Sequence, residues 1–142
     1  LDHLDRFEPE GGEAGLGLAR GSQAIDPYAW YFKAHFFKDP VQPGSLGLDA
    51  LIQVLERVIL LQDWGPGKAD CRFEALSPGA DIVWTFRGQV TPTRTAVKTI
   101  VEVTAVETVD EGVRVTACGQ LWCDGLKIYE ARQFSVTARF KA

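Results

Sequence analysis

Methionine is missing altogether, and the chain opens on Leu1. That start predicts a domain trimmed or excised from a longer polypeptide. Cysteine is scarce: Cys71, Cys118 and Cys123 form no C-x-x-C pair and cannot all be bridged. No disulfide framework is available, and three thiols buried or half-buried in strands suit a reducing, cytoplasmic setting. Positive charge is not in excess, since 15 Lys and Arg face 19 Asp and Glu for a net charge of -4. That balance argues against nucleic acid, which demands a basic face, although a sum does not exclude small basic docking patches. No apolar run suits a membrane either. The best candidate, residues 46 to 61, is interrupted by Asp49, Gln53, Glu56 and Arg57, and is too short and too charged to span a bilayer. The acidic, glycine-rich start has no signal-peptide pattern. Repeats, linkers and low-complexity segments are absent as well. What remains is one globular domain, residues 1–142, large enough to bury a core without disulfides or metals.

The organisation follows from punctuation and periodicity. Residues 1 to 25 alternate at Leu16 and Leu18 and read as one or two strands around a turn near Gly11 and Gly12. Asp26-Pro27 starts a turn, followed by the aromatic residues Trp30, Tyr31, Phe32, Phe36 and Phe37. Asp39-Pro40 and Pro43-Gly44 make residues 35 to 45 a stiff, non-helical loop. A helix is expected from Gly44 or Ser45 to Gln62, with Ser45 as N-cap and Trp64-Gly65-Pro66-Gly67 as stop. Its apolar residues occupy most sides, so it must be buried on most faces. Asp49, Gln53 and Glu56, at i, i+4 and i+7, form one polar stripe.

After the helix the period becomes two. Strands are expected over 69–75, 81–88, 96–109, 113–123 and 126–140, with tight turns at Asp110-Glu111-Gly112 and Asp124-Gly125 joining antiparallel hairpins. One long helix followed by long antiparallel strands is an α+β arrangement. The strands must curl around the helix to cover its apolar sides, which is the hot-dog fold.

The chemistry concentrates in residues 35 to 53, His-Phe-Phe-Lys-Asp-Pro-Val-Gln-Pro-Gly-Ser-Leu-Gly-Leu-Asp-Ala-Leu-Ile-Gln. Alone, a histidine beside aromatics is usually a packed side chain, and an acid in a helix's first turns usually complements the helix dipole. Three features point further. Asp49 sits among Gly47, Leu48, Ala50, Leu51 and Ile52, where burial would favour the protonated acid. Gln53, one turn on, can fix that carboxyl by a hydrogen bond. Pro43-Gly44 brings the helix N-terminus, with its free N–H groups, towards the histidine loop. Base, acid and carbonyl-polarising donors together suit removal of a proton alpha to a thioester with loss of a 3-hydroxyl as water. That reaction needs no cofactor and no metal.

This stretch resembles the 3-hydroxydecanoyl-ACP dehydratase family and the dehydratase domains of polyunsaturated fatty acid synthases. The shared pattern is H-F-x-x-D-P-V-x-P-G-x-L-G-L-D-A-x-x-Q. It continues in Ile25-Asp26-Pro27 with Trp30-Tyr31-Phe32, in Phe86-Arg87-Gly88-Gln89-Val90-Thr91-Pro92, and in Asp124-Gly125 with Ile128-Tyr129. Lys33-Ala34-His35 and Pro43-Gly44-Ser45-Leu46-Gly47 lean towards the synthase branch. The resemblance implies dehydration of (3R)-hydroxyacyl thioesters, borne on an acyl carrier protein, to trans-2-enoyl thioesters, with trans-2/cis-3 isomerisation left open. His35 corresponds to the base and Asp49 to the acid. Gly44 corresponds to the backbone donor for the thioester carbonyl, Val41 to the carbonyl orienting the imidazole, and Gln53 to the support of the aspartate. Trp30, Phe32, Phe36 and Phe37 line an acyl tunnel or pack in the core. The resemblance further implies that each site takes its histidine and aspartate from two units, in a homodimer or a pseudo-dimer with a sibling domain.

One departure stands out. Where the free-standing enzymes carry a basic cluster, residues 106 to 112 read Val-Glu-Thr-Val-Asp-Glu-Gly. Either this is a solvated hairpin tip, or the carrier protein is tethered, which raises its effective concentration to about millimolar and removes the need for strong docking. Lys38, Arg87, Arg94 and Lys127 are the docking candidates. Two rival readings remain: an acyl thioesterase, and a non-catalytic hot-dog domain of a megasynthase. His3 has no assigned role, and Trp64, Trp84 and Trp122 read as packing.

Overall fold

The computed structural model describes residues 2–35, 42, 44–62, 64, 71–75 and 81–140. In chain order they form β1 (His3–Glu8), β2 (Leu18–Ala24), α1 (Trp30–Ala34), α2 (Gly44–Leu61), β3 (Cys71–Ala75), β4 (Val83–Phe86), β5 (Ala96–Val109), β6 (Gly112–Cys123) and β7 (Leu126–Phe140). The strands make one antiparallel sheet in the order β1-β2-β5-β6-β7-β3, and β4 also pairs with β7. Strands β3 and β4 lie end to end along β7, opposite residues 136–140 and 129–133. The sheet curls around α2, the hot-dog arrangement expected.

The turn chemistry sets these hairpins. Between β5 and β6, Glu111 adopts φ 57°, and a Cβ at Gly112 would overlap the Ala138 carbonyl, so only glycine fits there. Between β6 and β7, Asp124 and Gly125 take φ 47° and 84°, the left-handed pair a two-residue hairpin turn requires. The Asp124 carboxylate accepts the backbone N–H groups of Thr95 and Ala96 at 2.9 and 3.0 Å. Those bonds hold its carboxyl below the usual range and pin the start of β5 to the β6–β7 turn.

Alternation then builds the core. Val113, Val115, Ala117, Leu121 and Cys123 of β6 face inward with Val97, Val101 and Val103 of β5. Leu51, Val54, Leu55, Val58 and Ile59 of α2 are buried against that face. Each such side chain contributes about 1.5–3 kcal/mol. At the far end of α2, the Gln62 amide donates to the Pro9 and Leu16 carbonyls at 2.7 and 2.9 Å, tying the helix to the β1–β2 turn. The three thiols lie in strands: Cys71 and Cys118 are half-buried and Cys123 is buried, as their sequence context suggests. No helix among the described residues is long and apolar enough to cross a membrane.

Candidate active site

Helix α2 presents its apolar faces to the sheet and its polar stripe away from it. Asp49 and Gln53 lie towards its open side, and their mutual hydrogen bond is solvent-exposed, whereas Glu56 is half-buried. The Gln53 side-chain amide donates to Asp49 Oδ2 at 2.8 Å, the one-turn contact that the i, i+4 spacing predicts. The full burial expected around Asp49 is not there in a single chain. Its sequence neighbours are apolar, but they point inward while Asp49 faces out. Burial, followed by the charge of Asp49, pushes the Glu56 carboxyl up.

Asp49, Gln53, Leu46 and Ala50 line one side of a cavity of about 170 Å³; Trp30, Tyr31, Gln23 and Gln42 line the other. The aromatic wall comes from α1, a five-residue helix too short to give a periodic signal. Trp30 and Tyr31 meet edge to face, with ring centroids 5.7 Å apart. The backbone N–H of Gln42 donates to the Val90 carbonyl at 2.7 Å, fixing this wall to the segment after β4. Sequence reasoning missed Gln23 and Gln42. The first lies in a strand with no motif, and the second occupies a variable position of the pattern. A larger hollow of about 730 Å³ on the sheet, beside Arg20, Lys98 and Trp122, touches the Asp124-Gly125 turn but none of the described residues between 35 and 53. The smaller cavity is the better candidate, because the carboxylate and its partner open onto it.

His35 ends α1. Its backbone N–H donates to the Tyr31 carbonyl at 3.0 Å, and its φ of -141° turns the chain out of the helix. It is half-buried and is not among the residues lining the Asp49 cavity. Gly44 is the first residue of α2, which places its N–H among the free donors of the helix start. Phe32 is 4% exposed and packs in the core with Ala50, Val90 and Val97; it does not reach the cavity. Phe36, Phe37, Val41 and Lys38 lie outside the described residues. Of the other docking candidates, Arg87 and Arg94 are exposed, whereas Lys127 is held by Glu130 at 3.3 Å. Among the described residues, no three His, Cys, Asp or Glu side chains come together as metal ligands.

Trp84 departs from the packing role expected of it. It is 41% exposed and stacks on Tyr129, with centroids 5.8 Å apart and planes at 20°. Phe86, 48% exposed, meets the same ring at 5.0 Å.

The fold recurs in solved structures. A mutant thioesterase from Pseudomonas aeruginosa superposes with a TM-score of 0.59 at 9% identity, over 96% of this chain and 81% of that one. The dehydratase heterocomplex ApeI:P from Xenorhabdus doucetiae gives 0.54 at 12% identity, over 96% of both chains. In sequence, the chain is 38% identical over 138 residues to one of the subunits of a polyunsaturated fatty acid synthase from Thraustochytrium sp.. That match covers 96% of this chain but spans only 9% of the relative's length. The FabA-like domain model matches residues 1–132, and with that the chain belongs to the FabA-like domain family.

Proposed function

We propose that this domain dehydrates (3R)-hydroxyacyl thioesters, presented on an acyl carrier protein, to trans-2-enoyl thioesters. The observation carrying the proposal is the Gln53–Asp49 hydrogen bond on the open side of α2, within a chain of the FabA-like family. In the proposed reaction the His35 imidazole takes a proton from C2. The resulting enolate oxygen is held by the Gly44 N–H at the start of α2. The electron pair then forms the C2–C3 double bond as the C3–O bond breaks. Asp49 gives its proton to the departing hydroxyl, which leaves as water. Val41 orients the imidazole through its carbonyl, and Gln53 holds the aspartate.

Each site takes His35 from one hot-dog unit and Asp49 from another, in a homodimer or a pseudo-dimer with a sibling domain. The outward placement of Asp49 in a single chain supports this, because a facing unit would supply the enclosure that a proton donor to a leaving hydroxyl needs. The match to a small part of a long synthase chain, together with the acidic β5–β6 tip, supports a carrier tethered in the same assembly.

Wild type and His35→Ala are incubated with a 3-hydroxyacyl thioester and the products followed by mass. The reading expects enoyl thioester from wild type and about 10²–10⁴-fold less from the variant, the usual contribution of a general base. Free acid identifies a thioesterase, and no product identifies a non-catalytic domain. Resolving the enoyl isomers also reports movement of the double bond from trans-2 to cis-3.

A further inference from the structure

Along β2, Ala19, Gly21 and Gln23 fall at every second residue and so share one face of the sheet. Ala19 and Gly21 are buried. Gln23 pairs with Val97 of β5, which is buried in the cluster that holds Phe32 and Ala50, and directly opposed residues of an antiparallel pair share a face. Gln23 therefore projects from the concave face, a polar side chain at a position the alternation reserves for the core. Such a group costs stability unless a partner meets it. Among the described residues, no group hydrogen-bonds its amide. Thr99, a diagonal neighbour on the same face, has a buried hydroxyl that is also unpartnered. The Gln23 amide does not bond it and lines the Asp49 cavity instead. Three glutamines line that cavity. Gln53 is engaged with Asp49, and Gln42 is held by its backbone bond to Val90. Gln23 stands on a strand bonded on both sides, to β1 and to β5, so its place is fixed before any ligand arrives.

We infer that Gln23 recognises the 3-hydroxyl of the substrate and so separates 3-hydroxyacyl chains from their 3-oxo and saturated counterparts. This rests on the proposed function, in which Asp49 protonates that hydroxyl. A cavity of about 170 Å³ has room for about six water-sized groups, so a polar group bound beside Asp49 also meets the opposite wall. The hydroxyl oxygen accepts from Asp49, and its own O–H donates to Gln23 Oε1. A ketone has no proton to offer there, and a methylene has neither donor nor acceptor. Either one leaves the amide unpaired, which is how a site built to bond a hydroxyl rejects analogues that lack it. As the C3–O bond breaks, the oxygen leaves as water with its original proton and the one from Asp49, still held by Gln23. The amide is neutral and adds no charge beside Asp49.

The test uses unreactive amide analogues of acyl-pantetheine, with nitrogen in place of the thioester sulfur, carrying (3R)-3-hydroxybutyryl, 3-oxobutyryl or butyryl groups. Calorimetry gives the Kd of each for wild type, Gln23→Met, Gln23→Asn and Gln42→Met. Wild type is expected to bind the hydroxy analogue about tenfold more tightly than the other two. Gln23→Met should bring the three within about twofold of one another, the butyryl Kd staying unchanged. Gln23→Asn keeps the amide on a shorter stem and should keep part of the preference; it decides the matter where the methionine variant does not fold. In turnover, kcat/KM of Gln23→Met for the 3-hydroxybutyryl thioester should fall about tenfold. The inference is overturned by a preference unchanged in both Gln23 variants, or by equal weakening of all three analogues. Loss of the preference in Gln42→Met alone, or a wild type without any preference, overturns it as well. If wild type turns over no thioester yet holds a hydroxyl preference that Gln23→Met abolishes, the proposed reaction fails and the role of Gln23 stands.

Discussion

Gln53 and Asp49 are joined across one turn of α2 by a 2.8 Å hydrogen bond from the amide nitrogen to Oδ2. Because the amide grips one oxygen, the carboxylate is held in one orientation on the cavity side of the helix. Gln53→Ala frees the carboxylate to rotate. About a tenfold loss in kcat is expected, by analogy with the 10–100-fold cost of losing a partner that orients a metal ligand, with little change in KM. Gln53→Glu places a second carboxylate beside Asp49 and should displace the alkaline limb of the pH–rate profile, where the acid loses its proton, upward. A kcat unchanged in Gln53→Ala, measured under saturating substrate, removes the positioning role.

Gly47 is fixed by the Tyr129 ring rather than by backbone conformation. A Cβ at this position would overlap two ring atoms, and Tyr129 is itself buried. Gly47→Ala is therefore expected to cost about 1–3 kcal/mol of stability, the usual penalty of overpacking. Denaturant melts of Gly47→Ala alone and with Tyr129→Leu check this: the second substitution should make the alanine nearly neutral. Equal penalties in both backgrounds contradict the contact.

Two carboxylates give opposite pH signatures. Glu56 is raised by burial and by Asp49, so folding favours its neutral form. Its charge therefore opposes folding once pH exceeds the raised folded value, and the burden is absent below the unfolded one. Glu56→Gln should raise Tm at neutral pH and leave it unchanged in strong acid. Asp124 is lowered by its two backbone N–H partners. Its contribution is present above the unfolded value and is lost as pH falls through the folded one. Asp124→Ala should lower Tm at neutral pH, with the difference closing in strong acid. Thermal melts across pH distinguish the two slopes.

Much of the architecture was legible because local chemistry and global fold agree. The left-handed residues Glu111, Asp124 and Gly125 mark both long hairpins, and the strands they join begin and end within a residue or two of the expected positions. Helix α2 announced itself by its apolar density and by the Trp64-Gly65 stop. Three things were not legible. Helix α1 is too short for periodicity, so the aromatic run read as tunnel wall or core alike, and only three dimensions separate Trp30 and Tyr31 at the cavity from Phe32 in the core. The position of β4 depends on pairing order, which no local pattern carries; hence Trp84 read as packing although the helix leaves it open. Finally, the apolar neighbours of Asp49 suggested burial, whereas helical geometry turns those side chains inward and Asp49 outward. The motif thus singled out Asp49 and its glutamine, while the enclosure around them is a property of tertiary and quaternary packing.

The most direct test of the two-unit site mixes two inactive variants. His35→Ala and Asp49→Ala chains are each assayed alone, then unfolded together in equal amounts, refolded and assayed with a 3-hydroxyacyl thioester. In a symmetric dimer with shared sites, random pairing puts half the chains in mixed dimers, each holding one intact site and one doubly defective site. The account predicts negligible activity from either variant alone and about a quarter of wild-type activity from the mixture. A mixture as inactive as its parts, beside an active wild type, contradicts it.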